Sequence, residues 1–393
     1  MTDEPDRDPE LDEEFEQLGR RAGAEMRMPP PEGGERMVQR SASHRRVATA
    51  IAAGGASAVI LVVGLVVLDN SRSPGPSDVS TPTTSLVVPP TDPTPPPASG
   101  WIAFQAEMGA GLDIVLVRRD GSDLHALVPD LPGGDQTNPD WSPDGQRLAF
   151  AATAEDGRDD LWTVDVDGTD AALLVDCADI CTVLEEPAWS PDGASIAYTR
   201  VSEVDGAVVG TLEVIDLATS TVSVLATADP NHGFAGARWS PDGQQIVLEV
   251  VELAGPSLDS EVVGVTLSVL DLGDATPVFR PLTDPLLLAQ KADWSPQGDV
   301  IVYGAHPSVE SDELDLFLIR PDGTGLTRLT ELAADGASAK EPSFTSDGAE
   351  IVFVGEDGQL MSVPTEGGSI RAATGDEVVR GGHPRCQPVS APG

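Results

Sequence analysis

Residues 138–150 read NPDWSPDGQRLAF, and close variants recur downstream: EPAWSPDGASIAY from Glu186, GARWSPDGQQIVL from Gly236, KADWSPQGDVIVY from Lys291 and EPSFTSDGAEIVF from Glu341. The aromatic position of this sentence is Trp141, Trp189, Trp239, Trp294 and Phe344, at spacings of 48, 50, 55 and 50 residues. A period of about 40–50 residues filled with short strands marks a propeller, each repeat supplying one four-stranded blade. The expected fold class is all-β.

The sentence has a direct physical reading. Ser142-Pro143-Asp144-Gly145 is a β-turn, with Ser at its first corner, Pro presetting the backbone at the second, and Asp and Gly completing it. A short strand ends in the Trp before the turn. A strand with alternating apolar residues, such as Leu148 and Phe150, follows it. The Trp is expected to fill the space between neighbouring blades and to hold them together. A second hairpin follows the sentence or opens the array, as in DIVLVRRDGSDLHALV from Asp113, DLWTVDVDGTDAALLV from Asp160 and DLFLIRPDGTGLTRLT from Asp315. The central Asp-Gly is the hairpin signal.

Five sentences suggest five blades, and the ends add a sixth. The array opens at GWIAF from Gly100, which matches only the second half of a sentence. It closes with GHPRCQP from Gly382, where His383, Pro384 and Cys386 match the first half. The last segment is therefore expected to complete the first blade and to clasp the ring shut, removing free sheet edges. Six blades is the count; seven is the alternative.

This PxWSPDGxxIAF sentence resembles the WD40-like repeat of TolB-type β-propellers, over residues 100–388. The last two copies depart from the pattern: Phe344 replaces Trp, Ser346 replaces Pro and Gln297 replaces Asp. The resemblance implies a β-propeller fold. Propellers like these occur as partner-binding periplasmic proteins and as gating domains of prolyl-oligopeptidase-like peptidases. The latter add an α/β-hydrolase domain with a G-x-S-x-G elbow. That motif does not occur here, so serine peptidase chemistry is not expected.

Before the repeats the chain divides into three. Residues 1–46 form an acidic arm expected to be disordered and cytoplasmic, in which Leu11, Phe15, Leu18 and Ala22 allow a short amphipathic helix. Residues 47–68, VATAIAAGGASAVILVVGLVVL, carry no charge and are long enough for one transmembrane helix. Arg36, Arg40, Arg45 and Arg46 precede it and Asp69 follows, which places the N-terminus inside and the propeller outside the cell membrane. A cleaved signal peptide is the competing reading, disfavoured by the long arm and the long apolar run. Residues 69–99 are a Pro/Ser/Thr-rich linker that reaches up to roughly 90 Å if extended as polyproline II.

The formal net charge of -42 and a pI near 4.1 argue against nucleic-acid binding. Cys177 and Cys181 are a possible disulfide closing a small loop; with Cys386 they make neither a disulfide framework nor a zinc pattern. His125, His232, His306 and His383 show no HExxH spacing, and no metal or cofactor is expected. His232 is a candidate for a loop near the pore. DVDGTD from Asp165 lacks most of a calcium loop and reads as a hairpin turn.

The expected ligand surface is the mouth of the central channel. The residues preceding each Trp begin the innermost strands: Asn138, Asp140, Glu186, Arg238, Lys291, Asp293, Glu341, His383 and Arg385. No catalytic residue is assigned. The leading function is a membrane-tethered scaffold for a protein or a cell-envelope polymer. Two alternatives stand beside it. One is a glycan hydrolase or lyase using paired carboxylates such as Glu186 and Glu341. The other is a single-pass sensor coupled to the N-terminal arm, with small residues such as Gly54 and Ala58 for helix contact.

Overall fold

In the computed structural model of the protein, the described residues are 100–388, apart from 109–110, 129–130, 132–133, 155–156, 178–180, 205–206, 258–259, 274–276 and 376–377. The expected arm, apolar helix and linker at 1–99 lie outside them. Among the described residues no helix is long and apolar enough to cross a membrane.

The described residues form six four-stranded antiparallel sheets, one per blade. From the channel outward, blade I is Gly382–Cys386, Trp101–Glu107, Leu112–Arg118 and His125–Ala126. Blade II is Gln136–Trp141, Arg147–Thr153, Asp159–Asp165 and Ala172–Val175. Blade III is Cys181–Trp189, Ser195–Val204, Ala207–Asp216 and Thr221–Thr227. Blade IV is His232–Trp239, Gln245–Leu253, Val262–Asp271 and Val278–Pro281. Blade V is Gln290–Trp294, Ile301–Ala305, Asp315–Ile319 and Thr327–Arg328. Blade VI is Lys340–Phe344, Glu350–Val354, Leu360–Pro364 and Arg371–Ala372.

The clasp forms as the two half-sentences predict. Gly382–Cys386 pairs antiparallel with Trp101–Glu107, joining the end of the array to its beginning. Beyond it, Gln387 donates its backbone N–H to Trp101 O at 2.9 Å, and its side chain donates to Gly145 O at 2.8 Å. The last segment is thereby tied to blade II as well as blade I.

The core lies between blades rather than within any one. Leu148, Phe150 and Ala152 of the second strand of blade II pack with Trp141 and blade I. Ala149 and Ala151, on the opposite face of the same strand, pack with Trp189 of blade III. The strand is therefore buried on both faces, and small residues stand where the next blade's Trp arrives. Ala103, Ala197, Val247 and Val302 share clusters with Trp141, Trp239, Trp294 and Phe344 in the same way. Burying such an indole is worth about 4–6 kcal/mol of transfer free energy as an upper estimate. At the closing interface, between blades VI and I, the aromatic position is Cys386, and Phe104 fills that cluster. Burial pushes the Cys386 thiol up to about 12, so it stays protonated.

The turns behave as read. Gly145 N donates to Ser142 O at 2.8 Å, Ser142 Oγ donates to Asp144 Oδ1 at 2.6 Å, and Arg147 N donates to Ser142 Oγ at 2.9 Å. Gly145 has φ of 66°, the left-handed region that favours glycine. The turns also nest around the ring: a Cβ on Gly193 would meet Pro143 Cγ at 3.3 Å, and one on Gly243 would meet Pro191 Cγ at 3.3 Å. Where Gln297 replaces the Asp, Asp299 takes over and accepts from Ser295 Oγ at 2.7 Å. Thr345 does the work of Ser in the last copy, donating to Asp347 Oδ1 at 2.6 Å. DVDGTD is a hairpin turn, with Thr169 N donating to Asp167 Oδ1 at 3.0 Å.

Candidate functional site

Each innermost strand carries the same irregularity. Asn138, Glu186, Lys291, Glu341 and His383 have φ between 48° and 56°, and Gly236 occupies the sixth place with 61°. The strand register shifts at each of these points, as a β-bulge requires. Left-handed backbone at a residue with a side chain costs about 1 kcal/mol or more. Five of the six blades accept that cost, and all five residues line one cavity.

Side chains from preceding blades hold this bulge ring together. His383 N donates to Glu341 Oε2 at 2.7 Å, Lys291 N to Glu249 Oε1 at 2.7 Å and Asn138 N to Gln105 Oε1 at 3.0 Å. Gly236 N donates to Glu186 Oε2. A Cβ at Gly236 would stand 2.5 Å from Glu249 Oε1, so glycine clears the space that carboxylate occupies.

The cavity at this level has a volume of about 290 Å³. Lys291 Nζ reaches from blade V to the carboxylate of Glu186 in blade III. Burial lowers the Lys291 pKa, while Glu185 and Glu341 oppose that shift. Burial raises Glu185 and pushes Glu249 up to about 7. Glu341 is held below its ordinary value: burial works against ionisation, but the His383 imidazole and N–H and the Lys291 and Lys340 charges together outweigh it. His383 Nε2 lies 3.3 Å from Glu341 Oε1, a distance that suits an ion pair. Burial nevertheless pushes His383 down to about 3, helped by the Lys291, Arg385 and Arg238 charges. The imidazole is neutral near pH 7, so the two side chains meet there without an ion pair.

Two residues further along, the strands build a second level at the turn end of the channel. Asp140, Arg238, Asp293 and Arg385 line two further openings there, of about 170 and 330 Å³. Asp140 Oδ2 accepts from Trp189 N and Asp293 Oδ2 from Phe344 N, each at 2.8 Å. Their other oxygens lie 4.0 and 3.8 Å from the Arg385 guanidinium. Burial raises Asp140 and lowers Arg238 to about 10. Arg238 Nε and Arg385 Nε have no hydrogen-bond partner, although the residues are only 6% and 7% exposed.

The nine residues read from the sequence thus occupy two levels of one channel rather than a single mouth. Asn138, Glu186, Lys291, Glu341 and His383 sit at the bulge level; Asp140, Arg238, Asp293 and Arg385 sit at the turn level. The single-mouth expectation counted residues along a strand and missed the bulge between them. His232 lines none of these openings, and His306 lines the first. Glu185 and Glu249 went unread. The signal for Glu249 was a lone carboxylate in the apolar run IVLEVV. Cys177 and Cys181 are joined as a disulfide. Among the described residues no group of His, Cys, Asp and Glu is placed to hold a metal ion.

No protein-family model matches the chain, and no curated protein matches it. Solved structures do. TolB from Acinetobacter baumannii superposes with a TM-score of 0.55 at 17% identity, over 74% of this chain and 67% of that one. A putative TolB from Agrobacterium tumefaciens gives 0.51 at 18%, over 72% and 91%. The hydrazine synthase of Kuenenia stuttgartiensis gives 0.56 at 15%, over 74% of this chain and 47% of that one. At these identities the likeness concerns fold: the chain carries an all-β, six-bladed propeller similar to those of the TolB structures.

Proposed function

We propose that the chain is a membrane-tethered, extracytoplasmic binding module whose ligand surface is the central channel. The observation that carries this reading is a preformed channel whose buried polar groups are incompletely satisfied. Asn138 Oδ1, Arg238 Nε and Arg385 Nε lack hydrogen-bond partners, whereas buried polar atoms ordinarily have them. A partner entering the channel supplies them. The propeller's ring closure and its inter-blade cores give a rigid frame for such a surface.

The tether and the compartment rest on separate support. Residues 47–68 have the length and apolarity of a spanning helix, and the preceding arginines orient it with the propeller outside. The Cys177–Cys181 disulfide suits an oxidising compartment. The partner is a protein or an envelope polymer. The hydrolase or lyase reading has less behind it, because Glu186 and Glu341, the carboxylates it names, are both committed to other blades.

In-cell crosslinking of the tagged full-length protein followed by mass spectrometry tests the reading. A recurrent partner crosslinked to the channel, and lost on Arg238→Glu with Lys291→Glu in a variant that retains its melting transition, is the expected result. Crosslinks indifferent to both changes would sink the channel as the binding surface. Protease added to intact cells should remove the propeller; full protection would sink the extracytoplasmic placement.

A further inference from the structure

The bulge-level cavity is unbalanced in charge. Four carboxylates, from Glu185, Glu186, Glu249 and Glu341, line it together with the Lys291 ammonium and the neutral imidazole of His383. Lys291 is spent on Glu186. Glu341 is spent on the N–H and imidazole of His383. Glu249 lines the cavity and uses Oε1 to accept from Lys291 N, and among the described residues Oε2 takes no hydrogen bond. The Glu185 carboxylate takes no hydrogen bond among the described residues, and its attraction to Lys291 does not offset its burial. Lys340 and His306 also line it, but so do Asp312 and Glu313, so these four do not neutralise the carboxylates.

A third acceptor is independent of the acidic cluster. Asn138 is 2% exposed, lines the same cavity and has no partner for Oδ1. Asn138, Glu185 and Glu249 come from blades II, III and IV, which are consecutive around the ring. An ammonium group has three donors and no acceptor. A planar guanidinium is best met by a bidentate carboxylate, and here the three acceptors arrive singly from three blades. Beside them Ala235, Val265 and Leu288 give the cavity an apolar wall, suited to a short run of methylenes.

We infer that the bulge-level cavity binds a primary alkylammonium group, held by Asn138 Oδ1 and the carboxylates of Glu185 and Glu249, with its alkyl chain against Ala235, Val265 and Leu288. This rests on reading the channel as a binding surface, and it names the chemistry of one of its ends. The group comes from a free aliphatic amine or from a lysine side chain of a partner.

Titration calorimetry of the full-length chain tests it with 1,5-diaminopentane as the probe and 1,5-pentanediol as its uncharged match. The diamine should bind once per chain and the diol should not. Glu185→Gln with Glu249→Gln should weaken the diamine by about tenfold or more, the factor that loss of a charged hydrogen bond brings. Lys291→Gln should tighten it, since the resident ammonium no longer competes; a gain of affinity cannot come from misfolding. Multi-site heat that survives the double substitution is general attraction to an acidic surface and overturns the inference, as does equal heat from the diol. Adding the diamine to the in-cell crosslinking separates the sources: displaced crosslinks indicate a partner's lysine, undisturbed ones a free amine. If the diamine fails to bind while channel substitutions still abolish the crosslinks, the cation site is wrong and the binding module stands. If it binds while those substitutions leave the crosslinks intact, the reverse holds.

Discussion

Trp294 Nε1 donates to the backbone carbonyl of Arg238 across the boundary between blades V and IV, at 3.1 Å. Trp141 makes the same bond to Arg385 O at 3.0 Å and Trp239 to Ala188 O at 3.2 Å. The acceptor is in each case the residue just before the aromatic position of the preceding blade. The repeat thus welds one blade to the next twice, by an apolar ring and by a polar stitch. Trp189 is the exception: its Nε1 has no partner, and the Arg147 guanidinium lies 4.6 Å from its ring centroid instead.

That contrast makes a prediction. Trp294→Phe removes a made hydrogen bond along with part of the ring, whereas Trp189→Phe removes an indole N–H that was unsatisfied. Trp294→Phe should cost about 1 kcal/mol more than Trp189→Phe, measured by urea denaturation of the two variants. Equal costs would mean the stitch contributes nothing.

Blade V offers a second test. Its turn has Gln297 where the other copies place Asp, and Asp299 serves Ser295 Oγ in its stead. Asp299→Ala should destabilise by about 1 kcal/mol, in the range of a lost turn or cap bond. Gln297→Ala should change stability by less than half of that. Melting curves of the two variants decide it, and the reverse order would refute the assignment.

Glu249 makes stability depend on pH. Its folded pKa is about 7, raised by burial, against an ordinary value of 4.5. Between those values the unfolded chain has lost the proton and the folded chain still holds it. The folded state binds more protons there, so stability falls as pH rises from about 4.5 through 7. His383 acts in the opposite sense, its folded pKa being depressed to about 3, so its own contribution falls as pH drops below the ordinary value of 6.5. The clean readout is therefore a difference. Glu249→Gln, which keeps an acceptor for Lys291 N–H, should melt progressively higher than the parent as pH rises from 5 to 7.5, and the two should converge near pH 4.5. Parallel curves would show that Glu249 ionises normally.

Much of this architecture is legible in one dimension because it is local. Ser142, Asp144 and Gly145 make their turn within four residues, and Gly193, Gly243 and Gly348 repeat it. The half-sentences at Trp101 and His383 announce the clasp because a repeat cut in two leaves complementary ends. Asn138, Glu186 and Lys291 could be assigned to the innermost strands by their distance from each Trp. By contrast, Gln297 was legible only as a substitution, and Cys386 only as a match to the half-sentence. That Asp299 and Phe104 compensate them depends on neighbours the motif does not include.

The sequence by itself determined the all-β repeat, a count of six blades with seven as the alternative, and the list of polar residues near the axis, because turn chemistry and strand alternation act between residues close in the chain. Only the tertiary structure decided how those residues divide. A left-handed bulge in each inner strand sets Lys291 apart from Asp293 and His383 apart from Arg385, on two levels of the channel. Ring closure then brings Glu186 to Lys291, 105 residues away, and buries Glu249 beside Glu185 where its carboxyl keeps a proton to about pH 7. Charge balance and desolvation belong to the assembled ring, since each depends on which blades face one another across the axis.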